Sequence, residues 1–174
     1  MAEYSLKASA LITDALFELL KKNSFEKISI TELTQKAGVA RLSYYRNFKS
    51  KEDIVEKFFD HEFKNFMAEL AKQDQSQVSL QSIMILSFSY WQKKHQQIRM
   101  LVRDGQIDLI YLSFQKNMQL ILQRYQEQFS LTQRQAEFVE GGIMIVLLEW
   151  IQDGCQETPE EIAADVGRRF LFNI

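Results

Sequence analysis

The sequence has little of several residue types, and each scarcity excludes a class of protein. A single cysteine, Cys155, rules out an internal disulfide and fits a reducing compartment. One proline and six glycines among 174 residues argue against a β-rich or a disordered chain. A net charge of −2 excludes a uniformly basic nucleic-acid coat. What remains is a folded chain of one or two small domains, long enough to bury a hydrophobic core.

Long apolar runs are missing as well. The most apolar stretch, 141–148, is too short to cross a bilayer and is followed by Glu149. Residues 1–10 lack the basic start and the apolar run of a signal peptide. We therefore expect a cytoplasmic protein with no membrane partner.

Residues suited to catalysis or metal binding are few. The only two histidines, His61 and His95, lie far apart, and no Cys or His pair has the spacing of metal ligands. The motifs GxGxxG, GxxxxGK and GxSxG do not occur. We predict no catalytic residue, no metal site and no cofactor, and hence no enzyme.

Apolar residues instead recur with the period of a helix along the whole chain. Residues 5–22, for example, place Ile12, Leu16 and Leu20 on one face. Further helices are predicted over 51–72, 79–91, 98–104, 106–129, 130–153 and from 158 onward. Two of them begin at expected capping boxes, Ser130 with Gln133 and Thr158 with Glu161. The sequence predicts an all-α fold of about nine helices.

The stretch 28–51 predicts two short helices, a tight turn between them, and the start of a third helix. Ser29 and Glu32 have the spacing of a capping box, and Gly38 supplies the left-handed residue that ends the first helix. The second helix begins near Ala40. Helix, glycine turn and helix form a helix-turn-helix, whose second helix enters the major groove of DNA.

The charges of this stretch also favour DNA. Residues 35–51 contain no Asp or Glu, and a locally positive face is what phosphate attraction requires. The cations are Lys36, Arg41, Arg46, Lys49 and Lys51. Lys51 lies in the first turn of a helix, where the macrodipole disfavours a cation and a nearby phosphate would offset that cost. The alternative is a solvated charged face beside a short turn.

Residues 15–55 resemble the N-terminal domain of the tetracycline-repressor (TetR-like) family of transcriptional regulators. The resemblance is carried by Phe25, Ile30, Leu33, Ala37, Gly38, Val39, Tyr45, Phe48 and the run from Lys49 to Ile54. It implies a helix-turn-helix DNA-binding domain over 1–50 and a helical ligand-binding and dimerisation domain over 51–174. Helix 51–72 would connect the two domains.

The resemblance also implies which residues meet a double-stranded operator. Bases or the adjacent backbone would be touched by Arg41, Leu42, Ser43 and Tyr45, and phosphates by Thr31, Asn47 and Lys51, while Arg46 and Lys49 complete the expected DNA-binding set. This chain departs from the family at Ala40, where a Ser or Thr cap is common. Leu42 replaces a small residue and favours contact with thymine methyls, and Asn47 replaces the usual His.

Gly141 and Gly142 lie inside a predicted helix, where each costs about 1 kcal/mol relative to Ala. Close approach of another helix would compensate. The expected interface of a homodimer comprises Phe138, Gly141, Gly142, Ile145 and Trp150. A tight contact within one subunit is the alternative explanation of the glycines. Recognition of paired half-sites about 34–36 Å apart favours the dimer.

Aromatic and Met residues in the C-terminal part suit a small-molecule pocket as well as an ordinary core. The residues predicted to line such a pocket are Tyr90, Trp91, His95, Tyr111, Phe114, Met118 and Met144. A hydrophobic or amphipathic effector bound there would shift the spacing of the two recognition helices.

Three functions are compatible with these patterns. The first is a dimeric DNA-binding regulator, most often a repressor in similar families, that binds a palindromic operator and is released by a small molecule. The second is a co-regulator of the same fold whose C-terminal bundle binds a partner protein. The third is a helical interaction protein whose helix-turn-helix is vestigial.

Overall fold

The computed structural model describes the backbone of residues 2–170 and the side chains of residues 6–125 and 128–168. All regular structure in this part of the chain is helical, which confirms the predicted all-α class. The α-helices are α1 (Ala2–Leu20), α2 (Ile30–Ala37), α3 (Arg41–Asn47), α4 (Lys51–Ala71), α5 (Leu80–Gln92), α6 (His95–Arg103), α7 (Ile107–Phe129), α8 (Gln133–Gln152) and α9 (Pro159–Phe170). A short 3₁₀ helix, Phe25–Lys27, lies between α1 and α2.

The N-terminal unit is built from α1, α2 and α3. Helix α1 lies behind the other two, with Ile12, Leu16 and Leu20 fully buried. After α1 ends, Phe25 and Ile28 return the chain to the core, where each is 2% exposed. Their burial fixes the 3₁₀ helix against α1 and so sets the start of α2.

The C-terminal part is a bundle of the helices α4–α9. Helix α4 packs against α7 and α5, while α5 in turn packs against α9. Three aromatic side chains from α4, α5 and α7 meet in its interior: Phe59, Trp91 and Phe114. Helix α4 begins four positions after the last residue of α3 and continues into this core.

Helix starts follow the predicted capping chemistry except at α8. Thr158 and Glu161 exchange the two hydrogen bonds of a capping box before α9. The box predicted at Ser130 is wrong, because Ser130 has a φ of 49° and the cap is formed two residues later by Thr132 with Gln135. Both sites offer a hydroxyl followed at the third position by Gln, so the sequence pattern alone did not separate them.

None of the helices in the described part of the chain combines the length and the hydropathy needed to cross a membrane.

Candidate nucleic-acid interface

The turn between α2 and α3 has the geometry that its sequence predicts. Ser29 and Glu32 form a complete capping box at the start of α2. Gly38 ends that helix in the left-handed region, with φ 66° and ψ 32°, where a side chain with a Cβ would be strained. Ala40 is the N-cap of α3 and makes no side-chain hydrogen bond, as expected from the missing Ser or Thr. The start of α3 is therefore fixed by the turn and by packing.

Packing holds α3 through one face and leaves the other in solvent. Tyr44 and Phe48 are 0% and 2% exposed, and their ring centroids lie 5.9 Å apart. On the opposite face Leu42 and Tyr45 are 58% and 54% exposed. Two large apolar side chains held in solvent on a short helix form a surface suited to base edges and thymine methyls. We call Arg41, Leu42, Tyr45 and Arg46, all exposed, the recognition face.

Arg41 and Tyr45 form a pair on the recognition face. The Arg41 Nη2 donates to the Tyr45 hydroxyl at 3.1 Å, and the guanidinium carbon lies 6.0 Å from the ring centroid. Residues four apart on a helix are neighbours, so this pair is set by the helix itself. It presents a guanidinium in a restricted orientation, and Arg is the side chain that most often pairs with guanine in the major groove.

The other residues predicted to bind DNA differ in how far they are exposed to solvent. Thr31, in the first turn of α2, and Lys49, after α3, are exposed. Ser43 is only 7% exposed, so its side chain does not share the recognition face. Asn47 is half-buried, and its Nδ2 donates to the Ser43 carbonyl at 2.7 Å.

Lys51 is engaged within the protein. Its ammonium donates to the carbonyls of Phe25, Glu26 and Ile28 at 2.7, 3.1 and 2.8 Å. The three N–H donors of an ammonium are thereby all used. The cost of a cation in the first turn of α4, which the sequence argument assigned to a phosphate, is offset here by carbonyl oxygens at the end of the 3₁₀ helix.

Sequence reasoning missed a second lysine with a similar role, Lys57. Its ammonium donates to the Asn47 carbonyl at the end of α3 and to the Asp53 Oδ2, the latter at 3.0 Å. The same Asp53 oxygen accepts the Lys49 backbone N–H at 2.8 Å. The spacing of Asp53 and Lys57, four apart on one helix, was the signal available in the sequence. Together they fasten the end of α3 to α4.

The recognition helix α3 also contains a buried polar group, on Tyr44. The Tyr44 hydroxyl is buried and has no hydrogen-bond partner among the described residues. Burial, with smaller contributions from nearby Glu52, Tyr45 and Asp53, raises the pKa of Tyr44 above its ordinary value.

The residues predicted to line an effector pocket are brought together only in part. Trp91, Phe114, Met118 and Met144 are buried, and the centroids of Trp91 and Phe114 are 4.7 Å apart. Tyr90 and His95 are half-buried at the junction of α5 and α6. Tyr111 is 42% exposed on α7, so it does not belong to this interior cluster.

A buried carboxylate beside this cluster was missed from the sequence. Glu62 of α4 is 6% exposed and accepts from the Tyr90 hydroxyl at 2.7 Å and from Lys94 at 2.9 Å. Burial and the Glu62 carboxylate together raise the pKa of Tyr90, so its hydroxyl stays protonated and donates. This network ties the connecting helix to α5.

Residues predicted for a dimer interface lie mainly on the surface of α8. Phe138 and Ile145 are 65% and 55% exposed. A Cβ built on Gly141 or Gly142 meets no atom of the described chain within 4 Å, so no tight contact within the subunit accounts for these glycines. Trp150, the remaining residue predicted for the interface, does not lie on this surface.

Trp150 is 3% exposed and belongs to the core of the subunit. Its ring contacts Phe88 at a centroid distance of 5.5 Å, and its Nε1 donates to the Glu157 carbonyl. It therefore has no surface to offer a partner. A groove of about 820 Å³ runs instead between α8 and α9. Its apolar lining includes Phe138, Val139, Gly142, Ile143, Val146, Ile162 and Val166, and its acidic lining is Glu157, Glu161 and Asp165.

Family models match both parts of the chain. A model of the C-terminal region of transcriptional regulators matches residues 78–169, more than half of the chain. The model described as bacterial regulatory proteins, tetR family, matches residues 12–58, which include the whole helix-turn-helix.

Individual proteins agree with these matches. The fatty acid metabolism regulator protein of Bacillus subtilis (strain 168) is 26% identical over 164 residues, 92% of this chain and 76% of that protein. The structure of the fatty acid degradation regulator FadR from Bacillus halodurans has a TM-score of 0.67 at 15% identity, over 96% of both chains. That of the dihydroxyacetone kinase operon activator DhaS has a TM-score of 0.62 at 17% identity, over 94% of both. The chain belongs to the tetR family of bacterial regulatory proteins and is a DNA-binding transcriptional regulator.

Proposed function

We propose that this regulator binds a palindromic operator as a homodimer, with α3 of each subunit in the major groove. The observation that carries the proposal is the recognition face, where Arg41, Leu42, Tyr45 and Arg46 are exposed on a helix held from behind by Tyr44 and Phe48. No acidic residue interrupts 35–51. A protein that reads operators in a bacterium acts in the cytoplasm, where the chromosome lies.

The accessible residues divide by chemistry into two groups. Arg41, Leu42 and Tyr45 contact bases, since they occupy the exposed face of α3. Thr31, Arg46, Asn47 and Lys49 contact phosphates around it, which orients the helix in the groove. Ser43 and Lys51, expected among the DNA ligands, support the recognition face from within the protein.

We propose that the second subunit covers the groove between α8 and α9. The exposed Phe138, the two glycines and Ile145 follow one stripe along α8, because steps of three and four residues stay on one side of a helix. A helix of the partner lying across Gly141 and Gly142 would meet no Cβ there and could approach closely. Symmetric pairing then places two recognition helices on one side of the duplex.

We further propose that a hydrophobic or amphipathic small molecule binds the C-terminal bundle near Trp91 and Phe114 and releases the protein from DNA, so that it acts as a repressor. Support comes from the aromatic and Met side chains at that site and from the similarity to regulators of fatty acid metabolism and degradation. The packed rings must separate to admit a ligand. Binding therefore changes DNA affinity only as far as the ligand prefers the opened bundle.

Selection of bound DNA from a random duplex pool tests the proposal most directly. The expected product is an inverted repeat whose half-sites are one helical turn apart, or a multiple of it. Fluorescence anisotropy with the selected duplex, with and without saturating fatty acids of graded chain length, then tests release. Enrichment of a single asymmetric site would contradict the dimer. No enrichment over the pool would contradict specific recognition.

A further inference from the structure

Besides the contacts made by α4, the described residues show polar contacts between α6 of the bundle and the DNA-binding domain. They are made by two adjacent residues at the end of α6. The Nη2 of Arg103 donates to the Leu20 carbonyl at 2.6 Å, and the Oδ2 of Asp104 accepts from the Phe25 backbone N–H at 2.8 Å. The Arg103 Nε and the Asp104 Oδ1 are 3.0 Å apart. The pair therefore holds both sides of the turn between α1 and the 3₁₀ helix.

Each charge of the pair meets a helix end of the opposite sign. The Leu20 carbonyl belongs to the last turn of α1, whose carbonyls have no partner within the helix and carry partial negative charge. The Phe25 N–H opens the 3₁₀ helix, where the N-cap residue Ser24 makes no side-chain hydrogen bond. Asp104 supplies that cap from the other domain. Its side chain is only 7% exposed, so the bond is largely shielded from water.

The contact continues to the start of α4. The backbone of Phe25 is bound on both sides: its N–H by Asp104 and its carbonyl by Lys51 at 2.7 Å. Lys51 is the first residue of α4, and Asn47, the last residue of α3, precedes it by four positions. The Phe25 side chain is 2% exposed, so this residue cannot shift without disturbing the core. A chain of short contacts thus leads from α6 to the start of α4, four residues after the end of the recognition helix.

We propose that Arg103 and Asp104, outside the DNA-binding domain, are positioning residues that hold the recognition helix in its DNA-binding orientation relative to the bundle. The half of this inference that concerns DNA rests on the proposed function. When the pair is removed, the 3₁₀ helix loses its link to α6 and the domain samples further orientations. Only a fraction of molecules is then competent to bind, and the apparent Kd rises by the inverse of that fraction.

The orientation is measured without DNA. Nitroxide labels at Gln35→Cys on α2 and Gln119→Cys on α7, both exposed, are introduced in a Cys155→Ser background. Labelled chains are diluted with unlabelled protein, so that pulsed EPR reports distances within one subunit. One narrow distance distribution is expected for the parent, and a broader or shifted one for Asp104→Ala and for Arg103→Met. Asp104→Asn keeps an acceptor for the Phe25 N–H and should remain close to the parent. Arg99→Met, one turn earlier on the same helix, is the matched control.

Operator affinity supplies the second measurement. Asp104→Ala should bind the selected operator about 5- to 150-fold more weakly, the usual range for coupling between two sites. Its affinity for random duplex should be unchanged, and Asp104→Asn should restore most of the operator affinity.

Two results overturn the inference. One is an unchanged distance distribution in both folded variants, Asp104→Ala and Arg103→Met, as judged by circular dichroism. The other is a broadened distribution with operator affinity intact. The EPR distances are measured without DNA. If no operator can be selected, the proposed function is refuted, but the distances still test the contact between α6 and the DNA-binding domain. The Arg103 side chain is 52% exposed, so Arg103→Met is expected to fold normally and keeps the test valid if Asp104→Ala does not fold.

Discussion

Single residues of α3 are either buried in the core or exposed on the recognition face, and the two sets are interleaved in the sequence. Tyr44 and Tyr45 are adjacent in sequence and their rings meet edge to face, yet one is 0% and the other 54% exposed. Successive residues differ by about 100° around a helix, which is enough to place one inside and one outside. Substitutions at these two positions should therefore have opposite consequences.

The Tyr44 hydroxyl is buried without a hydrogen-bond partner among the described residues, so we expect it to lower the free energy of unfolding relative to a chain without it. Tyr44→Phe removes it and keeps the ring that packs on Phe48. We expect the free energy of unfolding to rise by about 1 kcal/mol, the lower end of the cost of a buried unsatisfied polar group. Urea denaturation followed by circular dichroism measures it. Tyr45→Phe, on the exposed face, is the control and should stay within about 0.5 kcal/mol of the parent. A loss of stability in Tyr44→Phe would show that the hydroxyl is satisfied in solution.

On the recognition face, Arg41→Ala and Tyr45→Ala should each weaken operator binding by about 1–3 kcal/mol, because each variant removes a contact to bases that we propose. The two residues form one hydrogen-bonded pair, so the double variant should lose less than the sum of the single losses. Anisotropy titrations with operator and with random duplex measure the effects. Equal losses on both duplexes would mean that these side chains bind only the backbone of DNA.

At the scale of elements, lysine ammonium groups hold the short helices of the DNA-binding domain in place. Lys51 binds the carbonyl end of the 3₁₀ helix, and Lys57 binds the carbonyl end of α3. Both lie on α4, so the connecting helix fixes the two segments that flank the recognition face. Cations at the carbonyl ends of helices are favoured by the macrodipole as well as by hydrogen bonding.

Lys51→Met should therefore reduce stability, because it leaves three carbonyls without their shared donor. We expect a loss of about 1.5–3 kcal/mol in the free energy of unfolding, the range for hydrogen bonds to a charged group. Lys49→Met, at the neighbouring exposed lysine, should leave stability unchanged and lower the salt slope of DNA binding by about one. Denaturation and affinity titrations at several salt concentrations measure both quantities. A stable Lys51→Met protein with a reduced salt slope would return Lys51 to the phosphate contacts expected from the sequence.

The sequence predicted elements better than contacts between them. Helix α4 was expected over 51–72 and spans Lys51–Ala71, because its apolar period and its Ser50 cap are local signals. The partners of Lys51 lie 23–26 positions earlier in the chain and are brought to it only by the packing of Phe25 and Ile28. The Arg103 contact spans 83 positions. No periodicity or cap pattern encodes such separations.

Trp150 illustrates the same limit within one helix. It was assigned to the interface with Phe138 and Ile145, but five positions separate it from Ile145. Five steps advance about 140° around a helix, which turns the indole toward the core and Phe88. The division of α3 into a buried side with Tyr44 and Phe48 and an exposed side with Arg41, Leu42, Tyr45 and Arg46, by contrast, follows from the sequence alone, because the period of a single short helix is a local signal.

For the whole molecule, the proposal of a two-fold symmetric operator depends on the surface of α8 and α9. Phe138 and Ile145 are exposed on α8, and Phe138 also lines a groove whose α9 side includes Ile162 and Val166. An exposed apolar patch beside a groove with polar residues is typical of a protein interaction site. The glycines at the centre of the stripe have open space before them, which a partner helix would occupy.

Placing a charge in this surface should separate the subunits. Phe138→Asp and Ile145→Asp each bury an unpaired carboxylate if the dimer forms, and the other subunit contributes the same carboxylate. We expect sedimentation equilibrium at micromolar concentration to give the monomer mass for both variants and twice that mass for the parent. Leu112→Asp, at an exposed leucine of α7, is the matched control and should remain dimeric.

The same variants connect assembly to DNA binding. A monomer keeps an intact recognition face, so its affinity for a single half-site should equal that of the parent. Its affinity for the full palindrome should fall toward the half-site value, because the second contact no longer benefits from a high effective concentration. A different result would be a parent protein that sediments as a monomer and yet binds the palindrome much more tightly than one half-site. The two subunits would then pair only on the DNA. In the absence of DNA, the groove between α8 and α9 would then need another occupant.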